Sequence, residues 1–180
     1  MTPIQHLLTF GLAALLGHAQ AHVTLEQGEA IAGSPYKAVF KVGHGCDGSA
    51  TTRISVQLPA GFRGAKPQPK PGWTLAIRKD KLTTPYESHG KTISEDVVEL
   101  VWTASSEASY LQDAWYDEFV LRGSLPETPG PLWFKVRQSC QQGEWFWAEQ
   151  PASGSSTKGL KAPAVLLMLK KPEAAGEHQH

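Results

Sequence analysis

The chemistry-bearing residues of this sequence concentrate where a leader peptide ends. An apolar run from Leu7 to Leu16 leads to Ala19-Gln20-Ala21, the small-x-small pattern of a secretory cleavage site, although Thr2 to His6 carry no Lys or Arg. The run has about half of the ~20 residues that span a bilayer, so residues 1–21 read as a removable signal rather than a retained anchor. Cleavage after Ala21 makes His22 the first residue of the mature chain. Its free α-amine and imidazole Nδ1 then close a six-membered chelate. Nitrogen donors of this kind suit Cu(II), which heads the divalent affinity order. The amine, with an ordinary pKa of about 8, yields its proton once a metal competes for it. The chelate exists only after processing, which links export to metal competence.

Other donors are few. His44 lies in Gly43-His44-Gly45-Cys46 and reads as a loop histidine, exposed or packed within the loop; His89, in Glu87-Ser88-His89-Gly90, reads as a hairpin-turn residue. His178 and His180 belong to a polar tail that cannot preorganise a site. In Trp115-Tyr116-Asp117-Glu118-Phe119, strand alternation turns Asp117 and Phe119 one way and Glu118 the other. A carboxylate in so aromatic a segment either faces water at a strand edge or is turned toward a cation, and the residues alone leave both open. Trp145-Phe146-Trp147 puts two tryptophans on one strand face, which by itself suits a core. The two cysteines, Cys46 and Cys140, are expected to form one disulfide in an oxidising compartment. The rival reading is a soft thiolate site for Cu(I).

The elements that must hold these residues are strands. Tyr36–Val42, Ile54–Leu58, Val98–Trp102 and Leu132–Val136 alternate apolar and polar residues with period two. Val23–Ile31, Trp73–Arg78, Glu118–Arg122, Trp145–Glu149 and Ala164–Leu169 are further candidates. Turn signals separate them, at Ala32–Pro35, Pro59–Gly61, Pro126–Pro131 and Ser153–Ser156. Helical spacing is confined to Glu107–Tyr116, enough for one turn or a short helix. Lys66–Gly72 is proline-rich and reads as an extended connection. This pattern predicts an all-β, single-domain antiparallel β-sandwich of fibronectin/immunoglobulin-like type over residues 22–169, with a disordered polar tail over 170–180. Seventeen basic and seventeen acidic residues balance, so there is no bulk field for nucleic acid and no polybasic patch for a membrane surface.

Several segments, in their order and spacing, resemble one known family. They are His22-Val23-Thr24-Leu25 directly after the leader, Pro59-Ala60-Gly61-Phe62 with Pro71-Gly72-Trp73, Asp117-Glu118-Phe119 followed by Leu125-Pro126, and Gln138-Ser139-Cys140-Gln141-Gln142-Gly143 leading to Trp147. Together they resemble the YcnI-like copper-binding domain family over nearly the whole mature chain. The resemblance implies a β-sandwich holding one Cu(II) in a mono-histidine brace. His22 would be the amine and imidazole donor, Glu118 the carboxylate ligand, and Trp147, with Trp145 as the alternative, a shield beside the metal. It also implies a periplasmic, non-enzymatic role in copper trafficking or tolerance, with a copper chaperone or copper-transport protein as partner. Cys140 departs from the family pattern, in which an aromatic follows the Gln-Ser pair. Two other readings compete: a metal-free protein-binding sandwich module, and a copper-dependent polysaccharide monooxygenase, which would need His44 or His89 as a second histidine ligand.

Overall fold

The computed structural model describes residues 22–172, and over them the alternating segments become two sheets packed face to face. The strands are β1 (Thr24–Leu25), β2 (Glu29–Ile31), β3 (Pro35–Val42), β4 (Thr51–Gln57), β5 (Arg63–Pro67), β6 (Trp73–Ser88), β7 (Lys91–Ala104), β8 (Asp117–Ser124), β9 (Gly130–Cys140), β10 (Glu144–Trp147) and β11 (Val165–Lys170). The only helical element among the described residues is a 3₁₀ turn at Glu107–Ser109, within the segment where helical spacing was expected. One sheet has the order β1-β3-β8-β5; the other runs β2-β11-β9-β4-β7-β6, with β10 also paired to β9. The all-β sandwich expected from the alternation is therefore the observed fold.

The inward faces follow the period of two. In β3, Tyr36, Ala38, Phe40 and Val42 are buried, and in β8 Phe119 and Leu121 face them. From the larger sheet come Ile54, Val56, Leu100, Trp102, Phe134 and Val136. Phe40 meets Phe134 edge-on at 5.4 Å, and Phe119 takes edge contacts from Trp73 at 5.0 Å and Trp102 at 5.7 Å. Such pairs add about 0.5–1.5 kcal/mol each beyond area burial. They lock the two sheets together beneath the outer faces.

Three expectations are revised. The segment Val23–Ile31 is not one strand: β1 pairs with β3 in one sheet, whereas β2 pairs parallel to β11 in the other. The break lies at Glu26-Gln27-Gly28, where the chain crosses between sheets and Tyr36 Oη donates to the Gln27 carbonyl. The proline-rich connection is in part a strand, since β5 pairs with β8 through Lys66↔Arg122 and Pro67↔Leu121. An edge strand with one free side tolerates Pro67. The tail begins later than residue 170, because Lys170 ends β11 opposite Ile31 and its Nζ lies 3.0 Å from Glu29. The expected leader, residues 1–21, and the tail residues 173–180 with His178 and His180 lie outside the described residues. Among the described residues no helix is long and apolar enough to cross a membrane.

The strands β6 and β7 extend well past the candidates Trp73–Arg78 and Val98–Trp102 into a long hairpin, whose outer part is mostly exposed on both faces. With neither face buried, hydrophobic alternation has no cause there. His89 and Gly90 form its two-residue turn, with φ of 49° and 71°. Two positive φ values match the twist of a tight hairpin, which explains the glycine. His89 is thus a turn residue, as its sequence context suggested.

Candidate metal centre

At one end of the sandwich β3 finishes, β4 and β8 begin, and β9 turns into β10. The loop leaving β3 carries His44 and is tied down at His44, Gly45, Cys46, Ser49 and Ala50. Cys46 and Cys140 form a disulfide with Cα atoms 5.9 Å apart. The thiolate reading is thereby overturned: neither sulfur is available as a soft donor. The Gln138 amide, 1% exposed, donates to the His44 carbonyl at 2.7 Å and to Thr51 Oγ1 at 2.8 Å. The Gly45 amide donates to Asp113 Oδ1 at 2.9 Å, and Cys46 and Ser49 exchange backbone hydrogen bonds. A Cβ at residue 45 would fall 1.9 Å from the Ser49 carbonyl oxygen, so only glycine allows the loop to close this tightly.

Within this clamped loop the His44 ring is oriented by its own backbone. Its Nδ1 lies 2.5 Å from the Gly45 carbonyl oxygen, which can only accept. In the neutral ring this contact puts the proton on Nδ1 and the lone pair on Nε2. That Nε2 is sealed from solvent and has no hydrogen-bond partner.

His22 stands just ahead of β1, on the edge of the smaller sheet. Its ring packs against Trp147, with centroids 5.1 Å apart and planes inclined by 59°. Trp147 is 2% exposed in β10, and Trp145 stacks on it at 5.3 Å. The tryptophan in contact with His22 is thus Trp147, with Trp145 behind it. Pairing of Trp145 with Gln138 and of Trp147 with Val136 sets both indoles on the inward face of β10. Alternation in Trp145-Phe146-Trp147 foreshadowed this, and Phe146 on the opposite face lies under the Arg137 guanidinium at 4.1 Å. His22 also borders a cleft of about 340 Å³, walled by Thr24, Thr157, Leu160, Pro163 and Val165.

Glu118 occupies the outer face of β8, in a cross-strand row with Lys41 of β3 and Thr24 of β1. Phe119 points the other way into the core, as alternation required. Tyr116 Oη donates to Glu118 Oε1 at 2.5 Å, and the negative carboxylate pushes the phenol pKa up to about 12. Asp117 is engaged elsewhere, 2.6 Å from Lys70 Nζ. Glu118 therefore stands two strands from the one that His22 leads into, and the two form no ion pair.

Three buried side-chain polar atoms among the described residues lack any partner: His22 Nε2, His44 Nε2 and Trp147 Nε1. An unpartnered buried polar group costs about 1–3 kcal/mol, so each calls for an explanation. Two of the three belong to residues singled out in the sequence. His44 was read as an ordinary loop histidine; no short motif reveals that a distant Gln138 and Asp113 hold it. No three His, Cys, Asp or Glu side chains converge at metal-binding spacing among the described residues.

The immunoglobulin-like sandwich has a counterpart among solved structures, and a family model covers it. A family model described as a domain of unknown function (DUF1775) matches residues 22–169, and the chain belongs to that family, the family-model domain of the YcnI-like proteins. Among solved structures, an uncharacterized protein from Nocardia farcinica with an immunoglobulin-like fold is 25% identical at a TM-score of 0.63, over 82% of this chain and 97% of that one. The seventh ScaB type I cohesin from Pseudobacteroides cellulosolvens aligns at 8% identity and a TM-score of 0.42, over 88% of this chain and 97% of that one. No curated protein matches the chain.

Proposed function

We propose that the processed chain is an exported copper-binding protein that holds one Cu(II) through the α-amine and imidazole of His22 and serves copper trafficking or tolerance rather than catalysis. The observation that carries the reading is His22 itself. The residue that cleavage would expose lies against a buried tryptophan and on the wall of an open cleft, while the buried Nε2 without a partner is the ring nitrogen that a brace through the amine and Nδ1 leaves uncoordinated. A brace takes two donors from this one residue, so it does not require three converging side chains. Trp147 beside the ring would limit water at the metal and influence its redox potential. Glu118 completes the set as an oxygen donor, with Oε1 accepting from Tyr116 and Oε2 left for the metal. Nitrogen and oxygen donors favour Cu(II); reduction to Cu(I) would loosen the ion and favour transfer to a softer site. The role as cargo carrier implies a periplasmic location and a copper chaperone or copper-transport protein as partner.

Cu(II) titration of correctly processed protein tests this reading. One equivalent should bind tightly, and a chain retaining Ala21 ahead of His22 should lose that site because its amine is locked in a peptide bond. Undiminished one-to-one binding by the Ala21-bearing chain would sink the brace.

A further inference from the structure

We propose that the outer face of the smaller sheet carries an oxyanion site, in which Lys37, Arg122 and Lys66 together hold a phosphate-type anion from solution; the inference is independent of the copper reading. The three lie in one cross-strand row, with Lys37 of β3 directly opposite Arg122 of β8, and Arg122 directly opposite Lys66 of β5. All three are exposed, and alternation sends them to the side away from the buried Ala38, Leu121 and Ala65. Like charges directly opposite one another weaken a sheet, and here the central arginine meets one on each flank. Five ion pairs form among the described residues, and none includes any of these three cations. Nearer the His22 end the same face sets Lys41 opposite Glu118, so its charges are compensated there. Seventeen basic residues balance seventeen acidic ones in the whole sequence, so the row is a local excess and not a share of a basic chain.

The surface between these side chains suits one small group. Lys37, Lys66 and Arg122 border a depression of about 180 Å³ that Pro67, Gln68 and Val120 also line, and no acidic residue takes part. Pockets that enclose a whole cofactor or drug-sized ligand measure roughly 300–1,000 Å³, so this one fits a single tetrahedral anion better. The arginine fork matches two oxygens of such an anion, and the lysines add point charges on either side. Beyond Lys66 and Arg122 a larger cleft of about 310 Å³ adds Arg63, whose guanidinium lies over the Tyr86 ring at 4.6 Å, but also Glu87 and Glu127. That mixed charge places the anion on the Lys37 side. A lipid surface is a poorer match, because the exposed large apolar side chains Ile31, Ile77, Trp115 and Tyr116 all lie outside the row and both clefts.

Inorganic phosphate is the probe, titrated into the processed full-length chain without copper, at an ionic strength held constant with chloride and followed by proton–nitrogen correlation spectra. Saturable shifts are expected at Lys37, Lys66 and Arg122. Arg122→Gln should weaken the affinity about tenfold and Lys37→Gln or Lys66→Gln about threefold each, whereas Lys79→Gln, at an exposed lysine of the β6–β7 hairpin, should change nothing. Arg122→Gln should also raise the urea midpoint of the anion-free protein, because both like-charge oppositions disappear. Shifts that never saturate, that chloride reproduces, or that persist undiminished in both Arg122→Gln and Lys66→Gln overturn the proposal. So does a midpoint that fails to rise in anion-free Arg122→Gln, since the row would then carry no strain for an anion to relieve. Binding to phosphatidylcholine vesicles containing phosphatidic acid, with none to phosphate in solution, overturns it as well and assigns the row to a membrane surface.

Discussion

Substituting Trp147 and Trp102 by phenylalanine, one at a time, compares two buried indoles that differ mainly in what their N–H meets. Trp102 is 0% exposed and donates from Nε1 to the Gln68 carbonyl at 3.1 Å; Trp147 is 2% exposed and its Nε1 has no partner. Cutting indole to phenyl removes similar apolar area from each and leaves a small void, at about 1–2 kcal/mol. At Trp102 the change also leaves the Gln68 oxygen short of a donor, adding about 1–3 kcal/mol, for a total of about 2–5 kcal/mol. At Trp147 the same kind of penalty is already present in the native apo protein and is relieved by the change. The two contributions there nearly cancel, within about 1 kcal/mol of zero. Urea unfolding of metal-free, disulfide-intact protein measures both; a difference near 3 kcal/mol exceeds the extrapolation error of a small domain, about 10–15% of the total. Equal losses at the two positions would refute the reasoning, because Trp147 Nε1–H would then have a partner such as a buried water.

Glu118→Gln should weaken Cu(II) binding about tenfold without changing the one-to-one stoichiometry, as measured by competition titration; unchanged affinity would remove Glu118 from the ligand set. Replacing Cys46 and Cys140 together by alanine opens a loop with a sequence separation of 94, and the chain-entropy model puts the loss at roughly 4–5 kcal/mol, read as a shift of the urea midpoint. Tyr36, 6% exposed, has its pKa pushed up to about 12, first by burial and then by Glu26. Below pH 10 both folded and unfolded states keep this proton; between about 10 and 12 only the folded state does, so stability falls by roughly 2–3 kcal/mol over that window. Tyr36→Phe should flatten this component of the alkaline limb, which unfolding at pH 9 and pH 11.5 would detect.

Much of the fold is written in local alternation. Tyr36 to Val42 and Leu132 to Val136 announce half-buried strands because a sheet with one dry face selects apolar residues at every second position. The same rule turned Phe119 inward and Glu118 outward before any tertiary contact was known, and it put Trp145 and Trp147 on one face. The outer part of the β6–β7 hairpin was illegible for the converse reason: both faces are wet, so no pattern is imposed. The crossing of the chain between sheets at Glu26–Gly28 was hidden because two short strands in different sheets have the same local composition as one long one.

The site divides along the same line. His22 as a chelating residue is legible from its position after Ala21, since amine and imidazole belong to one residue and need no fold to bring them together. Everything else depends on residues far apart in the chain. Contact of His22 with Trp147, selection of Trp147 over Trp145, and the disulfide that removes both thiols arise when β1, β3, β9 and β10 meet at one end of the sandwich. His44 is the clearest case. Its flanking glycines mark only a loop, whereas its bare and buried Nε2 results from Gln138, Asp113 and Cys140, more than 60 residues away. Local pattern determines which way a side chain leaves its strand; only the packing of the two sheets determines which polar atoms are left without a partner.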